Sequence, residues 1–221
     1  RLFPVEVKYS PIESGDNIFF KIADLVKQLI LKSNKTEGNN DFLIFMPGEA
    51  EIFSTIKAID YFKLKGVKCL PLYSRLSMDD QQLIYKDFPG TIKIVVATNI
   101  AETSLTVPGI RYVIDSGVAR MTDFNFRTGI GSLEVQSISQ AAAIQRAGRA
   151  GRVQAGICYR LFSEEEFQVR KKYTVPEIQR SDLAAVVLHM VLMGINDIYN
   201  FDFIDPPDNK AFTNAFKTLH D

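Results

Sequence analysis

The sequence has no tryptophan, only two cysteines and only two histidines among its 221 residues. His189 and His220 are too few and too isolated to build a metal site. Cys69 and Cys158 each lie in a short apolar run, which is typical of buried thiols in a reducing compartment rather than of a disulfide or a metal pair. No apolar stretch approaches the roughly 18 residues of a membrane helix, and no signal-peptide pattern is present. These absences favour a cytoplasmic protein.

Net charge is absent as well, because Lys+Arg and Asp+Glu both number 26. No overall field therefore attracts nucleic acid, and any basic surface must be local. The hydrophobic fraction of 46% and the charged fraction of 24% are ordinary for a globular protein. The length suffices for one large domain, or for a medium domain and a small one. Since the chain begins with Arg1, we expect it to be a piece of a longer protein.

Short apolar runs alternate with helical periodicity through the first half of the chain. Apolar residues fill both faces of the runs, as in a parallel sheet covered by helices. The alternation predicts a doubly wound α/β domain. We expect Ser77 to cap a helix N-terminus and Gly66 to end a helix. The predicted strands are residues 5–9, 42–45, 67–72, 92–98 and 112–115, and the predicted helices are residues 18–30, 49–65 and 78–85.

The pattern changes between residues 120 and 139, where two strand-like runs flank a glycine-rich turn and predict an inserted β-hairpin. A helix is predicted from Gln140 and a strand at residues 157–162. Beyond residue 172 the chain turns helical, and prolines bracket this part, so we predict domains at residues 1–174 and 175–221. The apolar face of its helix is formed by Leu183, Val186, Val187, Met190 and Val191.

The most distinctive segment is QRAGRAGR at residues 145–152. If one helix runs through it, Gln145, Arg149 and Arg152 lie on one face. One guanidinium group can donate two parallel hydrogen bonds to the oxygens of a phosphate. A nearby glutamine can orient a water molecule. These are the parts that stabilise a phosphoryl-transfer transition state from outside a nucleotide pocket. Arg146 points elsewhere on such a helix and is predicted to be structural.

Two glycines separate these arginines. Gly148 and Gly151 have no side chains, so a ligand or a second domain can approach the backbone closely at these positions. The segment is also compatible with a basic helix that touches RNA, or with a solvated charged face. Spacing alone leaves these alternatives open.

A second segment, residues 97–106, follows a predicted strand and is rich in small hydroxyl and amide side chains. Ligands of open α/β sheets collect at the carboxyl ends of strands, and such side chains can bind the phosphates of a nucleic-acid backbone. The same residues also fit a helix N-terminus, with Thr98 or Asn99 as the cap and Glu102 in the capping-box position. The two interpretations are compatible.

Residues 145–152 resemble motif VI of superfamily-two helicases. Residues 97–106 resemble motif V in its DEAH-box form. Residues 42–52 resemble motif IV. The amino-acid sequences of several blocks are most similar to those of the bacterial HrpA-type members of the DEAH/RHA family of ATP-dependent RNA helicases. The resemblance covers nearly the whole chain, in order. The other matching blocks are residues 72–76, 109–117, 176–180 and 201–207, and the last two resemble the entry to a winged-helix domain.

The resemblance implies the second RecA-like domain of such a helicase, followed by the start of a winged-helix domain. In this family ATP and Mg²⁺ lie between two RecA-like domains, and the first carries the phosphate-binding loop and the DEAH box, which this sequence lacks. Arg149 and Arg152 would then contact the γ-phosphate, and Gly148 and Gly151 would allow the close approach that this contact needs. Gln145 would position the attacking water. Tyr85 would stack on adenine, unless it packs on the sheet, and Ser104 would sense the nucleotide state.

The resemblance also implies two kinds of RNA contact. The predicted contacts to the RNA backbone are Thr98, Asn99, Thr103 and the backbone N–H of Gly48. The hairpin is expected to lie against RNA as a wedge that separates strands, unless its aromatic residues pack on each other. The candidates for base contacts are Phe124, Phe126 and Arg127.

The implied function is ATP-driven 3′–5′ translocation along RNA and its unwinding. The implied partners are RNA, the first RecA-like domain of the same protein and an activator protein. Two alternatives stay open at this point: a degenerate helicase domain that serves as an RNA- or protein-binding scaffold, and a DNA translocase. The chain alone is expected to show no ATPase activity.

Overall fold

The computed structural model describes residues 3–32, 39–103, 105–125 and 130–220. Its main feature is a six-stranded sheet in the order β1-β8-β5-β2-β4-β3, with every neighbouring pair parallel. Strands β6 and β7 pair with each other in a second, two-stranded sheet. The strands are β1 (Val5–Tyr9), β2 (Asp41–Phe45), β3 (Val67–Leu72), β4 (Ile92–Ala97), β5 (Ile110–Asp115), β6 (Val118–Asn125), β7 (Ile130–Ser137) and β8 (Gly156–Arg160).

Seven α-helices and four 3₁₀ helices are present in the part of the chain that the structure describes. The α-helices are α1 (Ile18–Lys32), α2 (Glu49–Tyr61), α3 (Met78–Gln82), α4 (Gln140–Gly148), α5 (Glu164–Val169), α6 (Ala184–Leu192) and α7 (Asn209–His220). The 3₁₀ helices are Leu83–Tyr85, Asn99–Ala101, Arg149–Gly151 and Glu177–Gln179. None of the described helices is both long enough and apolar enough to cross a membrane.

Both faces of the central sheet are covered, which confirms the predicted α/β class. All five residues of β2 are buried, as expected for a central parallel strand. Helices α1 and α2 cover one face. On the opposite face Ile84, Ala101, Ala147 and Ala150 share one core with strand residues. The segments around Tyr85, motif V and motif VI therefore pack on the same face of the sheet.

The chain divides into two compact units. The first unit comprises residues 1–119 and 137–173, and contains the six-stranded sheet. The second comprises residues 120–136 and 174–221, so most of the hairpin groups with the C-terminal helices. Within the second unit the Arg180 guanidinium donates to the backbone oxygen of Thr122 on β6, 2.9 Å away. Its core is formed by Leu183, Ala184, Val187, Met190, Ile198, Ala211, Phe212 and Ala215.

Three local predictions can be compared with the structure. The Ser77 cap is confirmed, since its hydroxyl accepts from the backbone N–H of Asp80 at 3.2 Å. The helix predicted to reach Gly66 is wrong: α2 ends at Tyr61, because the chain turns through Lys63, at φ 47°, before β3. Val191, predicted to share one apolar helix face with Val187 and Met190, is exposed, whereas those two residues are buried.

Candidate nucleotide and nucleic-acid site

Helix α4 carries the QRAGRAGR segment and begins where it was predicted. The Ser139 hydroxyl caps it by accepting from the backbone N–H of Ala142 at 3.2 Å. The prediction of one helical face through Arg152 is wrong, because α4 ends at Gly148 and the chain tightens into a 3₁₀ turn. Gln145 and Arg152 are exposed, whereas Arg149 is only 5% exposed.

The glycines of this segment differ in their surroundings. A Cβ added at Gly148 would meet nothing within 4 Å, so this side of the turn is open to an approaching group. A Cβ at Gly151 would lie 2.6 Å from the backbone oxygen of Phe3. The Gly151 oxygen accepts from the Phe3 N–H at 2.8 Å. The close approach at Gly151 is therefore made by the chain's own residues beside β1.

All three arginines of the segment contact one stretch of chain, residues 98–106, called here the 98–106 loop. The Arg146 Nε donates to the Glu102 carboxylate at 3.0 Å. The Arg149 guanidinium donates to the backbone oxygens of Leu105, at 2.8 Å, and Glu102. The Arg152 Nη1 donates to the Thr106 hydroxyl at 2.5 Å. The arginine side chains of motif VI thus bond directly to motif V. These contacts were not predicted from the sequence.

Arg146 is fully buried and confirms the prediction that it is structural. Its Nη1 donates to the Asp115 carboxylate at 2.8 Å, and that side chain is fully buried as well. The guanidinium carbon lies 4.7 Å from the centre of the Phe45 ring. The same Asp115 oxygen accepts from the backbone N–H of Gly117 at 2.9 Å. Arg146 therefore ties α4 to the carboxyl end of β5.

Arg149 and Arg152 lie in unlike environments. Burial lowers the pKa of the Arg149 guanidinium, the nearby charge of Arg152 lowers it further, and Glu102 opposes both effects. Arginine stays protonated at neutral pH even so. Arg149 is thus a sheltered positive charge held by backbone carbonyls, and a phosphate would have to replace one of these acceptors. Arg152 is exposed, and its guanidinium donates to the hydroxyl group of Thr106.

The 98–106 loop does not form a capped helix. Asn99–Ala101 is a single 3₁₀ turn, and the Thr98 side chain makes no capping hydrogen bond. The capping interpretation is wrong because the Glu102 carboxylate instead neutralises the buried Arg146. Thr98 is half-buried, and Asn99 and Thr103 are exposed.

Three of the predicted RNA contacts lie at one edge of the sheet. Strands β2 and β4 are neighbours, with Phe45 opposite Ala97. Gly48 follows the carboxyl end of β2 as the N-cap of α2, and Thr98 and Asn99 follow the carboxyl end of β4. The structure thus brings these three residues to neighbouring strand ends.

Sequence reasoning missed an arginine at the same edge. Arg75 follows the carboxyl end of β3, which pairs with β4. Its side chain is 83% exposed, and its Nη2 lies 3.3 Å from the Glu49 carboxylate. Its position directly after a predicted strand, in the block 72–76, would have been the signal.

Tyr85 lies at the end of the 3₁₀ helix Leu83–Tyr85 and is 49% exposed. The neighbouring Ile84 is fully buried, and its backbone oxygen accepts from the Lys93 ammonium group at 2.8 Å. Ile84, rather than Tyr85, packs on the sheet. The ring of Tyr85 is thus open to a partner.

Ser104, Phe126 and Arg127 lie outside the described residues, and so does the side chain of Phe124. Within the described part of the chain no group of His, Cys, Asp and Glu side chains is arranged to hold a metal ion. The thiols of Cys69, half-buried in β3, and Cys158, buried in β8, are free.

Comparison with known proteins agrees with this geometry. Residues 21–154 match the helicase conserved C-terminal domain family. The whole chain is 45% identical to the ATP-dependent RNA helicase HrpA homolog of Haemophilus influenzae and 44% identical to the ATP-dependent RNA helicase HrpA of Escherichia coli, and spans 17% of the length of each. The crystal structure of the Escherichia coli DEAH/RHA helicase HrpB matches the whole chain with a TM-score of 0.90 and 35% identity, and the chain covers 28% of it. The chain therefore belongs to the helicase C-terminal domain family, in its DEAH-box, HrpA-type form.

Proposed function

We propose that this chain is the second RecA-like motor domain of an ATP-dependent RNA helicase that moves 3′ to 5′ along RNA and unwinds it. The observation that carries the proposal is the contact of Arg146, Arg149 and Arg152 with the 98–106 loop. The segment suited to a triphosphate is thereby bonded to the loop that carries the residues suited to an RNA backbone. The names of the relatives, ATP-dependent RNA helicases, support the same function.

On the nucleotide side, the roles follow from exposure and charge. Arg152 projects from the turn after α4 and supplies a guanidinium fork to the γ-phosphate of ATP bound by the first domain. Arg149 supplies a second positive charge in a partly water-excluded place, where charge acts more strongly than in bulk water. Gln145 is exposed one turn earlier and orients the attacking water. Mg²⁺ would be held mainly by the first domain.

On the RNA side, the edge formed by the ends of β2, β3 and β4 contacts the sugar–phosphate backbone. Asn99 and Thr103 offer exposed hydrogen-bonding side chains beside Thr98, and Gly48 offers its backbone N–H. Arg75 adds a positive charge at this edge. Phosphate and sugar contacts give affinity without base selection. The β6–β7 hairpin acts as the wedge, and residues 174–221 begin a winged-helix domain.

The split nucleotide site predicts that the 221-residue chain alone does not hydrolyse ATP, because it contributes only the outer half of the site. The full-length protein should hydrolyse ATP, and single-stranded RNA should stimulate it more than single-stranded DNA of the same length. A phosphate-release assay on both proteins checks this. ATP hydrolysis by the chain alone would reject the split site. A full-length protein without ATPase would indicate a scaffold, and stimulation by DNA only would indicate a DNA translocase.

The exposed ring of Tyr85 predicts a role in nucleotide affinity. Replacing Tyr85 with alanine in the full-length protein should raise KM for ATP about tenfold, because a stacking partner of the base is lost, while kcat changes little. Tyr85→Phe keeps the aromatic face and should match the wild type. Tyr61→Ala, at another exposed tyrosine, is the matched control. Steady-state kinetics measure these values, and an unchanged KM in Tyr85→Ala would exclude stacking.

A further inference from the structure

The chain passes between the two compact units three times, at residues 119–120, 136–137 and 173–174. On the first-unit side, one side chain lies beside all three passages. The Arg170 Nη1 donates to the backbone oxygen of Gly117 at 2.5 Å and to that of Ile138 at 3.1 Å. The Ile138 N–H also donates to the Gly117 oxygen, at 3.0 Å. Arg170 itself lies shortly before the third passage, so it fastens the two ends of the hairpin to the segment that leads into residue 174.

The Phe162 ring and the backbone at Gly117 hold the Arg170 side chain in position. Its guanidinium carbon lies 3.9 Å from the centre of the Phe162 ring. Gly117 has φ 76°, and a Cβ there would lie 2.3 Å from the Phe162 ring and 2.8 Å from the Arg170 Nη2. Only glycine leaves room for this stack. Burial lowers the pKa of Arg170, and the charges of Asp115 and Glu166 oppose that effect.

The segment around Arg170 also holds the first turn of α4. The backbone N–H groups of Gln140 and Ala141 donate to the backbone oxygens of Lys171, at 2.9 Å, and Lys172, at 3.0 Å. The Gln140 side chain donates to two more carbonyls within residues 167–172, each at 3.1 Å. The first N–H groups of a helix have no partner inside the helix. Here residues 167–172 supply acceptors for them, and so fix the start of α4 to the same segment.

A continuous path therefore runs from the hairpin ends to the arginines of motif VI. It passes from Gly117 and Ile138 through Arg170 to Gln140, along α4, and on to Arg149. We propose that Arg170 and Gln140 are positioning residues that transmit movement of the second unit to α4, so that RNA bound at the hairpin changes the rate of ATP hydrolysis. This inference rests on the proposed function.

The test compares ATPase rates of the full-length protein with and without saturating single-stranded RNA. Arg170→Gln removes the charge and the double donation to the two carbonyls. Its rate without RNA should equal that of the wild type, and its stimulation by RNA should fall roughly fivefold or more, the usual scale of coupling between sites. Arg170→Lys should recover part of the stimulation. Lys171→Ala, which keeps the backbone oxygen that Gln140 uses, should behave as the wild type.

Gln140→Ala provides a second route, because it removes two side-chain hydrogen bonds and leaves Arg170 and the backbone bonds in place. It should also reduce stimulation while the midpoint of thermal unfolding stays unchanged. Full stimulation in both variants, or an equal loss of the basal and stimulated rates together with a lowered midpoint, overturns the coupling and leaves the proposed function intact. A wild-type protein that RNA does not stimulate rejects the proposed function itself, and the coupling with it.

Discussion

Replacing Arg152 with alanine in the full-length protein is expected to lower ATP turnover about 10³-fold or more, the scale of other arginines that reach a γ-phosphate from outside the pocket. Arg152 is exposed, and it donates a hydrogen bond to the Thr106 hydroxyl. Its loss therefore removes little from the fold, so the midpoint of thermal unfolding should hardly change. Single-turnover kinetics with saturating ATP and RNA measure the effect on the chemical step.

Two further variants separate chemistry from loop positioning. Thr106→Val removes the hydroxyl that binds Arg152 and should reduce turnover far less than Arg152→Ala does. Arg149→Ala should lower both turnover and stability, because its guanidinium is buried and holds the carbonyls of Glu102 and Leu105. If Arg152→Ala turned over ATP at the wild-type rate, Arg152 would have no part in the nucleotide site.

Replacing Arg146 with methionine should destabilise the domain by about 3–5 kcal/mol, the usual cost of removing one partner from a buried ion pair. The loss leaves the fully buried Asp115 carboxylate without its positive partner. Glu102 loses the same partner, with its carboxylate 3.0 Å from the Arg146 Nε. Urea unfolding of the 221-residue chain, followed by circular dichroism, measures the change.

The double variant Arg146→Met with Asp115→Asn distinguishes an ion pair from simple packing. It removes both charges, so it should recover a substantial part of the lost stability, since the cost comes mainly from the carboxylate left unpaired. Arg146→Met alone serves as the reference. A double variant less stable than Arg146→Met would mean that the pair does not account for the burial of Arg146.

The sheet and the start of the motif VI helix were predictable from the sequence because their causes are local. The strands predicted at residues 5–9 and 67–72 match β1 and β3 residue for residue, and α4 begins at Gln140, next to its Ser139 cap. Helical geometry alone also placed Arg146 on a different side of the helix from Arg149, and the structure buries it.

The end of that helix was not predictable, because its cause lies far away in the sequence. The turn at Gly151 packs against the backbone of Phe3. The acceptors of Arg149 are backbone oxygens in the 98–106 loop, and no side-chain pattern reveals those. Local spacing therefore identified the arginines and missed what holds them.

The common core beneath Ile84, Ala101 and Ala147 bears on how mutants of this protein are read. These residues touch neither nucleotide nor RNA in the proposed function, yet they support the segments that do. A cavity opened there will displace several reactive groups together while the domain stays folded. Such a variant will mimic a catalytic lesion in a genetic screen although every catalytic atom is present, and measuring its stability beside its turnover is what reveals the difference.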